Sequence, residues 1–305
     1  MCKYSFTTGI SIDPDELVDF LNEEVNGSSV ISYISHIYIE NPFRLLLDTE
    51  KDRLQKEKKV ANIAKSLEEV NIEPVFVFDY TCMGDHHLTT EFHRLFGKML
   101  EFIDKTGIKS ISLADLYLAG TFSSGFPPYN RFSHFKVYLS PHAKINHAVK
   151  FKYLDNIEYS MVTLHPDINY SYPEEELPRG GTWKPTPNDD EIRRAVKFAG
   201  ADRIEILVNT KCIIRCPLEI FCNATRFHAE QEKMLPDKRK DASRYYWKKY
   251  RGWIEEQPEL IRKIPIIPPE RVNEFSALGV KYFKILNEPY SISDMRCRII
   301  PYISA

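Results

Sequence analysis

The 305-residue sequence has few of the features that mark secreted, membrane-bound or disulfide-stabilised proteins. Its first residues contain neither the apolar segment nor the small-residue cleavage site of a signal peptide. No apolar run approaches the roughly 18 residues that are needed to span a bilayer, so no membrane partner is expected. Six unevenly spaced cysteines do not form a disulfide framework, which predicts a reducing, cytoplasmic compartment.

The sequence also lacks an excess of charge of either sign and the short motifs of several enzyme classes. Lys plus Arg is 41 and Asp plus Glu is 43, so the whole chain has no general attraction for nucleic acids or anionic membranes. No nucleophile elbow, H-E-x-x-H motif or phosphate-binding loop occurs, and hydrolysis by those routes has no support.

What the sequence does contain is a regular alternation of strands and helices. The predicted strands are Tyr4–Ile10, Val30–Ile39, Glu73–Tyr80, Ser110–Ala114, Phe135–Leu139, Tyr159–Leu164, Ile204–Val208 and Tyr282–Leu286. Such alternation predicts a parallel sheet with right-handed crossovers. Eight units favour an α/β fold of the TIM type, a (β/α)8 barrel that is either complete or irregular. An open doubly wound sheet is the alternative, but no Gly-rich fingerprint follows the first strand.

We predict a single domain over residues 1–305, with an inserted basic and aromatic helical segment at about 226–264. Within it, Lys233–Trp253 carries basic residues interleaved with aromatic ones, a composition that suits phosphate contact and base stacking with RNA. The alternative is an ordinary amphipathic helix, because Tyr246, Tyr250 and Trp253 recur at helical spacing.

In a TIM barrel the chemistry takes place at the carboxyl-terminal ends of the strands. Polar and thiol residues follow the predicted strands, whereas the strand interiors are expected to be apolar. We therefore predict catalytic roles for His86, His165 and Glu288, since histidine and glutamate transfer protons. The predicted substrate-binding residues are His142, Asn169 and Asn209. The plain alternative is that His86 belongs to an ordinary polar loop.

Three of the six cysteines fall together directly after the seventh predicted strand. Cys212, Cys216 and Cys222 have the spacing C-x3-C-x5-C, which in an intracellular protein indicates a metal or iron–sulfur site. A cluster needs about four ligands. Cys82 is the first candidate for the fourth because it follows the third strand, ahead of Cys297 on the terminal helix. The alternative ligands are His86 and His228, and the alternative reading is that these cysteines are buried small hydrophobes.

Several segments resemble the U32 family of collagenase-like peptidases and its TIM-barrel relatives. EILVNTKCIIRCP is similar to the family signature L-V-N-x-x-C-x-x-x-C-P. DYTCMGD, LHPDIN and IPIIPPERVNEFSALGVKYFKI are similar to further family segments in the same order, so the resemblance covers nearly the whole chain. The family ending K-I-x-G-R is only partly kept, because Asn287 and Glu288 stand in place of Gly and Arg.

The resemblance implies a TIM barrel and two kinds of activity. Several relatives carry a 4Fe–4S cluster and act in oxygen-independent hydroxylation, which implies an iron–sulfur enzyme of redox or hydroxylation type acting on an unknown substrate. Other members are peptidases, and this activity is the first alternative. A non-catalytic RNA- or ligand-binding barrel is the second. The preference for a 4Fe–4S cluster over zinc rests on the resemblance alone.

Overall fold

Eight parallel strands form a closed barrel in the computed structural model. The structure describes residues 2–43, 48–80, 88–124, 129–171, 186–210, 252, 256, 266–286 and 291–305. The barrel strands are β1 (Lys3–Thr8), β2 (Ile34–Ile39), β3 (Glu73–Phe78), β4 (Ser110–Leu113), β5 (Lys136–Leu139), β6 (Met161–Leu164), β7 (Ile204–Leu207) and β8 (Tyr282–Ile285). Two further pairs of two-residue strands, Glu24–Val25 with Ser28–Ser29 and Tyr170–Ser171 with Thr186–Pro187, lie outside the barrel sheet.

Each barrel strand pairs with its neighbours in chain order, and β1 closes the ring by pairing with both β2 and β8. The register places Ser5 of β1 opposite His36 of β2 on one side and Lys284 of β8 on the other. On the far side of β8, Thr163 of β6 stands opposite Glu205 of β7. These five residues therefore belong to adjacent positions on one side of the strands, which is the side that faces the barrel interior.

Helices surround the barrel, and most begin at a side chain that caps the first turn. They are α1 (Pro14–Asn22), α2 (Glu50–Glu69), α3 (Thr90–Lys105), α4 (Leu116–Ser123), α5 (Asp189–Ala199), α6 (Val272–Ala277) and α7 (Ile292–Ser304). The Asp13 carboxylate accepts hydrogen bonds from the amides of Asp15 and Glu16, with Pro14 at the first helical position. No helix in the described ranges is both long and apolar enough to cross a membrane.

The main apolar core lies between the barrel and its helices. The outward-facing strand residues, among them Phe6, Ile37 and Phe283, are fully buried against the helical layer. A second, small apolar cluster of Tyr38, Val75, Tyr138 and Met161 lies inside the barrel. Since so few apolar side chains fill the interior, polar groups occupy much of the remaining space.

The prediction of a TIM-type barrel is confirmed. The stretch between β4 and β5 contains α4 and the 3-10 turn Tyr129–Phe132. The connection after β5 contains a 3-10 helix at Ala148–Leu154. The inserted segment at about 226–264, with the proposed RNA-binding patch, lies outside the described residues except for Gly252 and Glu256 and stays a prediction.

Candidate active site

The interior of the barrel holds a buried cluster of polar and charged side chains, referred to below as the interior network. Its members are Ser5, His36, Tyr38, Thr163, Glu205 and Lys284, and each of them is at most 3% exposed. They come from β1, β2, β6, β7 and β8, so the network depends on closure of the barrel.

Glu205 is the centre of the interior network. Its Oε1 accepts a hydrogen bond of 2.5 Å from Ser5 Oγ. Its Oε2 accepts one of 2.8 Å from Tyr38 Oη and one of 2.6 Å from Thr163 Oγ1. Three hydroxyl donors on three different strands therefore surround a fully buried carboxylate, which is the arrangement that makes burial of a charge tolerable.

His36 lies on the opposite side of the same carboxylate. Its Nε2 is 3.2 Å from Glu205 Oε1, which is within ion-pair distance. The angle does not give a regular hydrogen bond, so within the described part of the chain this nitrogen has only the electrostatic contact. Its Nδ1 is 2.9 Å from Ser35 Oγ. The ring is held edge-on against Tyr38 and Tyr138, at centroid distances of 4.9 and 5.2 Å.

The surroundings of Glu205 keep it ionised. Burial by itself raises the pKa of a carboxyl, but His36, Lys284 and the hydrogen bond from Ser5 outweigh burial and lower the pKa of Glu205 to about 2. The pKa of Tyr38 is shifted far upward, first by burial and then by the adjacent Glu205 charge. Tyr38 therefore stays a neutral donor to a permanently charged acceptor.

Lys284 supplies the positive charge on the side of the interior network that is nearer the carboxyl-terminal ends of the strands. Its Nζ lies 3.3 Å from the centroid of the Tyr38 ring, a cation–π contact. Burial lowers the pKa of Lys284, although the carboxylates of Glu205 and Asp79 act in the opposite direction. Among the described residues, Nζ makes no hydrogen bond and no ion pair. The ammonium group is therefore buried beside charges that it does not touch.

Further carboxylates extend the polar interior towards both ends of the barrel. At the carboxyl-terminal end, here called the mouth, Ser112 Oγ donates a hydrogen bond of 3.0 Å to Asp79 Oδ1, directly after β3. At the amino-terminal end, Glu73 accepts hydrogen bonds from Ser110 Oγ at 2.5 Å and from Lys136 Nζ at 2.8 Å. Polar groups thus run along the barrel from one end to the other.

The two predicted substrate-binding asparagines both lie at the mouth and both hold the backbone there. Asn209 Nδ2 donates to Leu286 O at 2.8 Å and its Oδ1 accepts from Leu286 N at 2.6 Å, which joins the ends of β7 and β8. Asn169 is fully buried, and its Nδ2 donates to Leu207 O at 3.2 Å. Within the described residues Asn169 Oδ1 has no hydrogen-bond partner, so a buried acceptor lies beside the mouth.

His165 precedes one short 3-10 turn at the mouth, and His142 is the middle residue of another. The buried His165 caps the turn Pro166–Ile168, with Nδ1 accepting from Asp167 N at 3.3 Å. Since Nδ1 is an acceptor there, its 3.5 Å distance to Asp167 Oδ2 is not a charged pair. His142 is half-buried in the turn Pro141–Ala143, where its amide donates to Ser140 Oγ. Their predicted roles in catalysis and binding stay predictions.

Six of the predicted site residues lie outside the described residues. They are Cys82, His86, Cys212, Cys216, Cys222 and Glu288. Within the described ranges, Cys2 and the exposed Cys297 are free thiols, and no group of three or more His, Cys, Asp or Glu side chains is placed to hold a metal ion. The cluster and zinc predictions are therefore not tested by the described part of the chain.

The expectation that the strand interiors are apolar is wrong. His36, Glu205 and Lys284 lie in the middle of strands and are buried. The sequence carried a signal, because IEIL and YFKI each contain one charged residue flanked by apolar ones, and in a strand such a residue takes the face opposite to its neighbours. The interior of a closed barrel is the one face that can bury such charges against each other.

Comparisons with known proteins agree with this fold. No protein-family model matches the chain. The chain is 25% identical over 236 residues to an uncharacterized protease, MJ1657, of Methanocaldococcus jannaschii. That match covers 77% of this chain and 61% of the relative, so the chain spans less than two thirds of the relative's length.

Among solved structures, the U32 peptidase Mk0906 matches with a TM-score of 0.55 and 13% identity, covering 94% of this chain and 92% of that chain. The match to a Haloferax volcanii malate synthase covers 100% of this chain and 69% of that chain. Its TM-score is 0.46 at 10% identity, and no conclusion is based on it.

The fold and the interior network define a TIM-type (β/α)8 barrel with a charged interior. The chain is thus similar in sequence to an uncharacterized protease and in fold to a U32 peptidase, which agrees with the resemblance that the sequence motifs indicate.

Proposed function

We propose that this chain is a U32 peptidase-like enzyme that cleaves peptide bonds at the mouth of its barrel. The observation that supports it best is the agreement of two independent likenesses, a protease in sequence and a U32 peptidase in fold. The buried charges beneath the mouth add a physical reason, because ionisable groups held in a dry interior are typical of active sites.

The mouth offers chemistry that suits a peptide. Asn169 Oδ1 is a buried acceptor for a peptide amide, and Asp79 is a carboxylate held by Ser112. The proposed proton-transfer groups are His165, His86 and Glu288, and Cys212 is the proposed nucleophile, since a thiolate attacks a carbonyl carbon readily. His142 and Asn209 complete the proposed substrate contacts.

Cleavage of casein and of fluorogenic peptides tests this proposal. We expect turnover by the purified chain and its loss in Cys212→Ser and His165→Asn. His147→Asn is the matched control, because His147 caps a 3-10 helix as His165 does but has a side chain that is 54% exposed. Near-UV circular dichroism checks that each variant is folded. Undiminished cleavage by Cys212→Ser and His165→Asn would remove both residues from the mechanism.

The cysteine segment favours a second candidate, an iron–sulfur enzyme of redox or hydroxylation type. Cys212, Cys216 and Cys222 follow β7, and Cys82 follows β3, so both segments leave the barrel at its mouth. Four thiolates would complete a 4Fe–4S cluster, whereas a zinc ion is the alternative occupant.

Anaerobic purification separates these two candidates. A cysteine-ligated cluster gives a brown protein with broad visible absorption and matching iron and sulfide contents. We expect Cys212→Ser to lose that absorption and Cys297→Ser, at an exposed free thiol on α7, to keep it. A colourless protein that contains zinc supports the alternative metal, and a colourless metal-free protein that cleaves peptides leaves the peptidase proposal alone standing.

A further inference from the structure

Lys284 has surroundings that its role in packing does not explain. It is 3% exposed and belongs to β8, with its Nζ over the face of Tyr38. The described residues give it no hydrogen-bond acceptor, whereas the equally buried Glu205 has three hydroxyl donors. Burial of the side chain lowers the pKa of Lys284, so its neutral form is favoured more than in water.

The charges near Lys284 determine which kind of molecule can bind beside it. Glu205 and Asp79 both act on it electrostatically, and both are carboxylates. An anionic ligand at Lys284 would be repelled by these two carboxylates. The charged groups that act on Lys284 are Glu205 and Asp79, and neither is a cation that could offset the repulsion. A neutral electrophile meets no such repulsion, and a desolvated amine is a good nucleophile towards carbonyl carbon.

We propose that Lys284 is a nucleophilic amine that captures a neutral aldehyde or ketone as an imine inside the barrel, next to the mouth. This activity does not depend on peptide cleavage or on a metal cluster. Lys284 is the third of the four residues of β8, one position before its carboxyl-terminal residue, and reacting side chains of TIM barrels usually lie at that end. Tyr38 supports the amine from below, because its ring is fixed by the hydrogen bond to Glu205.

The step is balanced without any other reagent. The lone pair of the neutral Nζ attacks the carbonyl carbon, a C–N bond forms, and the π electrons of the C=O bond move to oxygen. A proton then passes from nitrogen to oxygen, the hydroxyl takes a second proton from solvent and leaves as water, the nitrogen lone pair closes the C=N bond, and the iminium nitrogen returns one proton to solvent. Addition of water reverses the step and releases the carbonyl compound. Solvent water carries these protons, and Asp79, held by Ser112, acts electrostatically on Lys284.

Reductive trapping tests the proposal on the intact chain. Propionaldehyde and sodium cyanoborohydride at pH 7 convert an imine into a stable propyl amine, and peptide mapping by mass spectrometry locates it. We expect Lys284 to be labelled faster than Lys281, because a lower pKa raises the fraction of neutral amine, which is the form that attacks the carbonyl carbon. Lys281 is the matched control, since it lies three residues earlier, is exposed and has its pKa raised by Asp202.

Two variants complete the test. Lys284→Arg keeps the positive charge but forms no imine under these conditions, so the fast label must disappear, whereas Lys281→Met must keep it. Because the decisive readout is the labelling pattern of the unmodified chain, a variant that fails to fold does not leave the proposal open. Labelling of Lys281 and other surface lysines with Lys284 untouched would overturn it.

A comparison of glyoxylate with propionaldehyde tests the preference for neutral carbonyl compounds. Glyoxylate carries a carboxylate beside its aldehyde, so Glu205 and Asp79 should slow its reaction at Lys284. We expect the ratio of labelling at Lys284 to labelling at Lys281 to be several-fold lower with glyoxylate than with propionaldehyde. An equal or higher ratio would contradict the assignment to neutral substrates, and a lower one supports it.

Discussion

The ammonium nitrogen of Lys284 lies 3.3 Å from the centre of the Tyr38 ring, inside a closed parallel barrel. The hydroxyl of the same tyrosine donates a 2.8 Å hydrogen bond to Glu205 Oε2. One aromatic side chain thus stands between a buried cation and a buried anion and contacts both. This arrangement makes the interior network a single electrostatic unit, and its parts can be tested separately.

Removal of the central charge should destabilise the fold strongly. Glu205→Gln leaves Lys284 and His36 without their buried counter-charge, and the loss of one partner of a buried ion pair costs about 3–5 kcal/mol. Urea denaturation measures the loss. Asp202→Asn is the control, because Asp202 is exposed in its pair with Lys281 and should cost less than about 0.5 kcal/mol. Similar losses for both variants would mean that Glu205 is not the centre of the network.

At acid pH the free energy of unfolding should depend on pH because of the Glu205 carboxyl. The pKa of Glu205 is about 2 in the folded chain against an ordinary value of 4.5, so its contribution is complete above about pH 4.5 and is lost as the pH falls towards 2. The shift corresponds to about 3 kcal/mol. Unfolding curves at several pH values should show this slope, and Glu205→Gln should flatten it. An unchanged slope in the variant would assign the acid sensitivity to other carboxyls.

At alkaline pH the free energy of unfolding should also rise with increasing pH, because of Lys284. Its pKa is lowered in the folded chain by burial, so the unfolded chain holds this proton more tightly. The free energy of unfolding should therefore rise as the pH increases from the folded pKa of Lys284 towards its ordinary value of 10.5. Lys284→Met should remove this rise, which guanidinium denaturation between pH 7 and 10 would detect. A rise that persists in the variant belongs to another group.

Tyr38 and Tyr138, two of the tyrosines inside the barrel, should differ in what their hydroxyls contribute to stability. Tyr38→Phe keeps the ring beneath Lys284 and removes the donor to Glu205, and a hydrogen bond to a charged group is worth about 1.5–3 kcal/mol. Tyr138→Phe is the matched control, since its hydroxyl is 3.3 Å from Glu73 Oε2 and contributes little. Thermal and urea unfolding measure both variants. Equal losses would show that the two hydrogen bonds have similar strength.

Asn209 should stabilise the contact between the carboxyl-terminal ends of β7 and β8. Asn209→Ala removes both hydrogen bonds to the backbone of Leu286, and we expect a loss of about 1–2 kcal/mol. Hydrogen exchange at the Leu286 amide should accelerate, while the Phe283 amide in the middle of β8 stays protected. Exchange that accelerates equally along β8 would indicate general unfolding instead.

The sequence by itself determined the barrel. Caps such as Asp13, apolar strands and their alternation with helices are local properties, and eight such units leave few ways to bury the apolar faces. It also identified Asn169, Asn209, His142 and His165 as residues that follow strands, which the structure places at the mouth.

Only the tertiary structure decided that the interior is charged. Ser5 and Glu205 are 200 positions apart, yet barrel closure brings their side chains within 2.5 Å. The energy of each buried charge depends on partners from other strands, so no single strand reveals whether a glutamate or lysine within it is tolerated. For the same reason the sequence favoured the cysteine segment, whose signal is local, and passed over Lys284, whose chemistry depends on the groups that surround it.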